Sequence, residues 1–249
     1  MERVLNLTLA MTFATGLVLI GCGDDDDSPK DAGGDAKDHD HDGDEHDDHG
    51  KDEDDAGSKE EMSFFVSSDT SKTGNLGGLS GADARCNKLA KAAGSKLKFA
   101  AYLSADKGDD DAVDAKDRIG KGPWYNVKGV LLAKDLDALH KLPSGNADLF
   151  LTEKGAKING QWSGSPTPNE HDVLTGSTAE GTLREGFTCK SWTSEAMTDI
   201  AQVGHSDGLG PMMSSDPPFN SWNSSHENGG CNDTAPRGGA GHIYCFAVE

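Results

Sequence analysis

The residues best suited to chemistry fall into three sets. The first is His39, His41, His46 and His49, set among carboxylates as His39-Asp40-His41 and Glu45-His46-Asp47-Asp48-His49. Imidazole with carboxylate is a ligand set for zinc, nickel or copper. In a flexible segment without supporting contacts such a set binds modestly, so a solvated spacer is the favoured expectation and metal binding the alternative. The second set is Cys86, Cys189, Cys231 and Cys245, an even number that allows three disulfide pairings and lacks Cys-x-x-Cys spacing for a thiolate metal site. The third is His140, His171, His205, His226 and His242, spread singly along the chain. Nothing in their spacing marks a catalytic triad. No His-Glu-x-x-His or phosphate loop occurs, and a nucleophile elbow around Ser163 fails because Gln161 and Ser165 stand where glycines are needed. The expectation is a binding protein and not an enzyme.

Hard oxygen ligands for calcium are plentiful late in the chain: Asp207, Asp216, Asn223, Glu227, Asn228, Asn232 and Asp233. The competing expectation, favoured here, is that these residues make turns and caps. Trp222-Asn223 precedes Cys231 much as a lectin Trp-Asn-Asp motif would, but the third residue is Ser224. Trp124, Trp162, Trp192 and Trp222 are expected in the core or against disulfides more than on a sugar-stacking surface.

The elements that must position these residues begin after an address. Arg3 precedes an apolar run from Leu5 to Ile20, too short to span a membrane comfortably, and Leu19-Ile20-Gly21-Cys22 closes it. This resembles the lipobox of bacterial lipoproteins, which implies lipidation of Cys22 and a cell-envelope location held by acyl chains. Asp does not directly follow the cysteine, so the outer membrane or cell surface is expected. From Gly23 to Glu61 there is no Leu, Ile, Val, Met, Phe, Tyr or Trp, and nineteen Asp/Glu stand against four Lys. Such a segment cannot bury enough apolar surface to fold and is expected to be an extended linker. It carries −15 of the formal charge of −20, leaving −5 for the rest. That balance excludes the clustered cations that nucleic-acid binding needs.

Residues 62–249 are then one domain of α+β class. Met62–Val66 predicts an edge strand. Ser80 predicts a helix cap with Asp83 three residues on, and Ala82, Cys86, Leu89, Ala90 and Ala93 fall on one helical face ended by Gly94. Phe99–Leu103 predicts a buried strand, Asp110–Ile119 a weaker helix, Pro123-Trp124-Tyr125 another strand and Lys134–Lys141 a helical turn. Asp148–Thr152 and Ala156–Ile158 flank a hairpin turn at Glu153-Lys154-Gly155. Trp162 to Arg237 is so rich in Gly, Ser, Asn and Pro that irregular loops are expected. His242–Val248 predicts a closing strand with Ile243, Cys245 and Ala247 on one face. Pairing Cys86 with Cys245 would lock the two ends together and leave Cys189 and Cys231 to tie the loops.

Several short segments resemble, in order, the endostatin family, a branch of the C-type-lectin-like fold. They are Gly81-Ala-Asp-Ala-Arg-Cys86, Phe99-Ala-Ala-Tyr-Leu-Ser104, Asp117-Arg118, Val173 to Ser177, Cys189-Lys-Ser-Trp192-Thr-Ser-Glu195 and Tyr244-Cys245. The resemblance implies the nested pairing Cys86–Cys245 and Cys189–Cys231. The family's heparin binding rests on an arginine-rich face, and the scattered Lys/Arg here give no ground for it. His39 and His41 echo the family's zinc-binding His-x-His but lie far before the first strand. Some bacterial endostatin-like surface lipoproteins bind host extracellular-matrix or complement-regulatory proteins, so the resemblance implies a recognition module. The expected partners are a membrane, through the lipid, and a protein or glycan met by the loop face at 160–237.

Overall fold

The computed structural model describes residues 60–107, 111–164 and 166–248. Cys22, the acidic linker as far as Lys59, and with it His39, His41, His46 and His49, lie outside the described residues, while Glu61 already accepts from Ser95 of the domain. No helix among the described residues is long and apolar enough to cross a membrane. The fold is α+β, with short strands, one long helix and short helical turns.

The last strand sets the centre. In β8 (Gly239–Ala247), Ile243, Cys245 and Ala247 enter one core cluster while Tyr244 and Phe246 enter another. A strand buried on both faces must be covered on both sides, and β8 is also flanked on both edges. β1 (Phe64–Val66) and β2 (Phe99–Ala101) run antiparallel to it, with Phe65 and Ala101 both opposite Cys245. β5 (Asp172–Leu174) pairs parallel with its earlier part, Leu174 opposite Ile243. β6 (Gln202–His205) adds antiparallel to β5, and the two-residue β7 (His226–Glu227) adds to β6. The sheet order is β1-β8-β5-β6-β7, with β2 also on β8. A separate pair, β3 (Trp124–Tyr125) and β4 (Leu131–Ala133), stands apart from this sheet.

The helix α1 (Gly78–Ala92) covers the first core cluster with Ala82, Cys86, Leu89 and Ala90, the face its spacing predicts. Cys86 bonds Cys245, tying α1 to β8 with Cα atoms 5.5 Å apart. Cys189 bonds Cys231 with Cα atoms 5.7 Å apart. The nested pairing is therefore the one present. The second cluster gathers Phe64, Tyr102, Trp124, Phe150, Trp222, Tyr244 and Phe246. Of the four tryptophans, Trp124, Trp192 and Trp222 are buried as expected and Trp162 is exposed.

Several expectations need correction. α1 starts before Ser80, with Gly77 as its uncapped N-cap. Asp83 is no capping-box partner: it holds Arg118 at 2.7 Å and accepts the Ala101 N–H at 2.8 Å. With Gly77 as N-cap, Asp83 lies beyond the first turn, where a capping-box partner cannot reach the N-cap N–H. Ala93 is exposed, because it lies at the last turn where the helix leaves the sheet. The Asp110–Ile119 helix is only Ala115–Arg118 (α2) within the described residues. The turn at Lys134–Lys141 is α3 (Leu136–Leu139), capped by the Asp135 carboxylate. β8 begins at Gly239, ahead of His242. The main departure is the segment from Trp162 to Arg237. It supplies β5, β6 and β7, strands whose backbone pairing overrides a composition that favours loops.

Candidate functional site

These three strands bring together histidines that the sequence leaves apart. In the β5–β6 ladder Leu174 faces Val203, and two residues on Asp172 faces His205. Side chains of a strand alternate with period two. Asp172 and His205 therefore extend the same face as the apolar Leu174–Val203 pair, beyond the point where apolar side chains fill it. His171 immediately precedes β5, and His226 opens β7 beside β6. The chain from Phe219 to Asn223 can approach because of Gly204: a Cβ there would stand 2.0 Å from the Trp222 carbonyl oxygen. Its close passage puts the Phe219 carbonyl against His205.

The result is a carboxylate surrounded by imidazoles. His171 Nε2 and His205 Nε2 stand 3.4 Å and 3.3 Å from Asp172 Oδ1, and His226 Nε2 stands 3.6 Å from Oδ2. His205 Nε2 and His226 Nε2 are 3.0 Å apart. The His171 and His205 rings stack with centroids 4.1 Å apart. Side-chain exposure is 4% for His171, 2% for Asp172 and 1% for His205, against 23% for His226, which forms the solvent side.

The far nitrogen of each ring settles which atom carries the proton. His171 Nδ1 lies 2.9 Å from Asp207 Oδ1, His205 Nδ1 2.8 Å from the Phe219 carbonyl, and His226 Nδ1 2.9 Å from the Glu227 carbonyl. All three partners accept hydrogen bonds only, so each Nδ1 is the donor. In the neutral imidazoles the three Nε2 atoms are then bare lone pairs, and all three turn toward Asp172. Accordingly neither carboxylate oxygen of Asp172 has a hydrogen-bond donor, although both are buried.

Electrostatics follow from this. Burial pushes the Asp172 carboxyl up to about 6, with His226 and His171 pulling the other way. Burial, with His171 and His226 adding to it, pushes His205 down to about 3. For Asp207 burial acts upward, but the hydrogen bonds from His171, Leu209 N–H and Trp162 N–H prevail and hold it below the usual carboxylate range. His171, Asp172 and His205 each place a ligand atom within 4.8 Å of the others, the one such group of His, Cys, Asp or Glu among the described residues.

Most residues weighed as calcium ligands or as turn and cap formers make hydrogen bonds within the domain. Asp207 braces His171. Asn223 is buried and donates to Tyr102 Oη and to the Thr178 and Ala179 carbonyls. Asn228 accepts the Ala201 N–H and donates to the Gly230 carbonyl. Asp216 and Asp233 close turns at Ser214 and Ala235, and Asn232 is exposed. Among the described residues the carboxylates of Asp207, Asp216 and Asp233 do not gather into a ligand group. Of the remaining histidines, His140 bonds Tyr102 Oη at 2.7 Å, and His242 is buried with its Nδ1 on the Ser67 carbonyl.

In the sequence His171, His205 and His226 stand dispersed. Their one local signal is the pair His171-Asp172 ahead of the apolar Val173-Leu174, which places a ligand pair at a strand's entrance. Comparison with protein-family models and with curated proteins finds no match for the chain.

Proposed function

We propose that this chain is a lipid-anchored protein of the bacterial envelope whose endostatin-like, C-type-lectin-like domain is a recognition module for a protein ligand, bound at the face built by residues 160–237. The address comes from the lipobox-like Leu19-Ile20-Gly21-Cys22, and the acidic linker after it serves as spacer.

The observation that carries the reading is where large apolar side chains reach solvent. Six are exposed among the described residues, and four of them lie in this one segment: Trp162 at 40%, Met197 at 71%, Met212 at 90% and Met213 at 55%. The turn Gln161–Ser163 packs against the turn Pro211–Met213, which sets Trp162 and the two methionines on neighbouring turns. Met212 and Met213 hold φ of 55° and 59°, a strained region for side chains of their size that persists where the surroundings or a function impose it. Exposed Trp and Met are typical of protein interfaces, and thioethers adapt to varied apolar partners. A sugar platform is less well served: Lys157 Nζ already sits 4.3 Å from the centre of the Trp162 ring.

The test is a binding screen of the full chain against extracellular-matrix and other host proteins and against glycans, with and without calcium. A protein hit is expected, calcium-independent, and weakened at least tenfold by Trp162→Ala combined with Met212→Ser and Met213→Ser. Binding carried by residues 23–61 alone, or confined to glycans in calcium, would overturn the reading.

A further inference from the structure

We propose that His171, His205 and Asp172 bind one divalent transition-metal ion of the zinc class, with His226, which lies just outside that close group, moving in as the fourth ligand from the solvent side. The assignment stands apart from the histidines of the acidic linker and from the recognition reading above.

Three observations converge on it. The first is spacing. Ligand atoms bonded at about 2.0–2.2 Å around a tetrahedral ion stand roughly 3.3–3.6 Å from one another. Asp172 Oδ1 stands 3.4 Å from His171 Nε2 and 3.3 Å from His205 Nε2, and the other oxygen, Oδ2, stands 3.6 Å from His226 Nε2. These separations are too long for charge-assisted hydrogen bonds and right for two ligands sharing a cation. The second is proton placement. Each Nδ1 is fixed as a donor by a carboxylate or carbonyl acceptor, which leaves Nε2 free, the arrangement that orients a metal-binding imidazole. With both Nδ1 atoms donating, the 3.0 Å contact between His205 Nε2 and His226 Nε2 needs either a proton between the two nitrogens or a cation beside them. The third is the orphaned carboxylate. Both oxygens of Asp172 are buried without a donor, and a buried charge persists when it is paired or coordinates a metal.

The donor set selects the ion. Imidazole with a single carboxylate suits zinc and its borderline neighbours, while calcium requires six to eight oxygens. Three buried ligands, completed by His226 from the solvent side, would make a closed site, the type that ties structure together. Here the ion would join β5, β6 and β7. Through Asp207, which also accepts the Leu209 and Trp162 N–H groups, it would brace the turns that carry the exposed face.

The experiment uses the full chain in two backgrounds, one native and one with His39, His41, His46 and His49 all changed to Ala. Each is loaded with zinc, desalted and measured for bound metal, then titrated with cobalt(II), whose visible absorption reports tetrahedral nitrogen–oxygen coordination. One ion per chain is expected to survive in the linker variant. His205→Ala and Asp172→Asn should each weaken binding at least 100-fold. His226→Ala, at the surface, should weaken it on the order of 10- to 100-fold, as should Asp207→Asn through loss of the His171 brace. Intact disulfides and an unchanged circular-dichroism spectrum establish that each variant is folded. If His205→Ala misfolds, the same comparison rests on His226→Ala and Asp207→Asn. The proposal is overturned if the tight ion disappears with the linker histidines, if folded His226→Ala and Asp172→Asn both bind metal like the native chain, or if the native chain retains none.

Discussion

Asp172→Asn should change the sign of its effect on stability when metal is added. In the metal-free chain Asp172 is a buried carboxylate without a donor, and burial raises it from 3.8 to about 6. A raised acid binds its proton more tightly in the native state than in the unfolded chain. Above about pH 6 the native state must therefore carry an ionised group it disfavours, and roughly 2 pK units at 1.36 kcal/mol each set that penalty at about 3 kcal/mol. Asparagine keeps the shape and removes the charge, so with chelator at pH 7.5 the variant should be more stable than native by about 1–3 kcal/mol. For a domain of this size that is a rise of several degrees in melting temperature. With zinc at a thousand times its dissociation constant the native chain gains about 4.1 kcal/mol by mass action, and the variant gains little. The order of melting should then invert. Thermal unfolding of both proteins in chelator and in zinc, with disulfides intact, reads this directly. An Asn variant destabilised to the same degree in both media would refute the reasoning, because it would make Asp172 a structural acceptor and not a ligand.

Other consequences can be measured alongside. Hydrogen exchange at the Trp162 and Leu209 amides, both bonded to Asp207, should speed up on metal removal, while the Ala101 amide, bonded to Asp83, should not change. In chelator the domain should lose stability on acidification below pH 6.5. Burial depresses His205 to about 3 and also lowers His140 and His242, so the unfolded chain takes up protons that the native state refuses. Each such histidine contributes fully above 6.5 and loses up to about 1.4 kcal/mol per pH unit below it. Asp172 acts oppositely between about 6 and 3.8, so Asp172→Asn should steepen the acid slope seen by denaturant unfolding. The disulfides should rank by the loops they close. With separations of 159 and 42 residues, removing Cys86–Cys245 should cost about 5 kcal/mol and Cys189–Cys231 about 4 on the chain-entropy model. Paired Cys→Ala variants in urea titrations measure both.

What the sequence disclosed, and what it hid, follows from how far apart the determining residues lie. α1 is legible because Ala82, Cys86, Leu89 and Ala90 repeat locally at helical spacing. β8 is legible because alternate residues of one strand enter two core clusters. The turn at Glu153-Lys154-Gly155 is legible from its residues, but the flanking Asp148–Thr152 and Ala156–Ile158 form a single Leu151–Lys157 bridge and not the two strands of a hairpin. β5 and β7, at three and two residues, are too short to show a period. They exist because β8 and β6 offer them backbone partners. The histidine cluster was hidden for the same reason. His205 and His226 meet only because the intervening 21-residue step folds back over Gly204. Neither charge nor composition reports such a return.

The buried cluster and the exposed face belong to one construction. Asp207 accepts His171 through Oδ1 and the Trp162 N–H through Oδ2, and the Leu209 N–H also ends on Oδ1. Phe219, whose carbonyl holds His205, packs its ring against Gly210, the residue before the turn that carries Met212 and Met213. Both exposed turns therefore hang from the groups that orient the imidazoles. A loop-rich surface has little sheet or helix of its own to fix its shape, and the two disulfides fix other points, α1 to β8 and Cys189 to Cys231. The end of the β5–β6–β7 sheet is where this surface needs a further anchor, and there the chain places three imidazoles and a carboxylate where apolar side chains would otherwise pack. An ion at that point gives directional bonds to three strands at once. An apolar plug would supply area but no direction, and the turns bearing Trp162, Met212 and Met213 would lose the hydrogen-bonded frame that sets their positions.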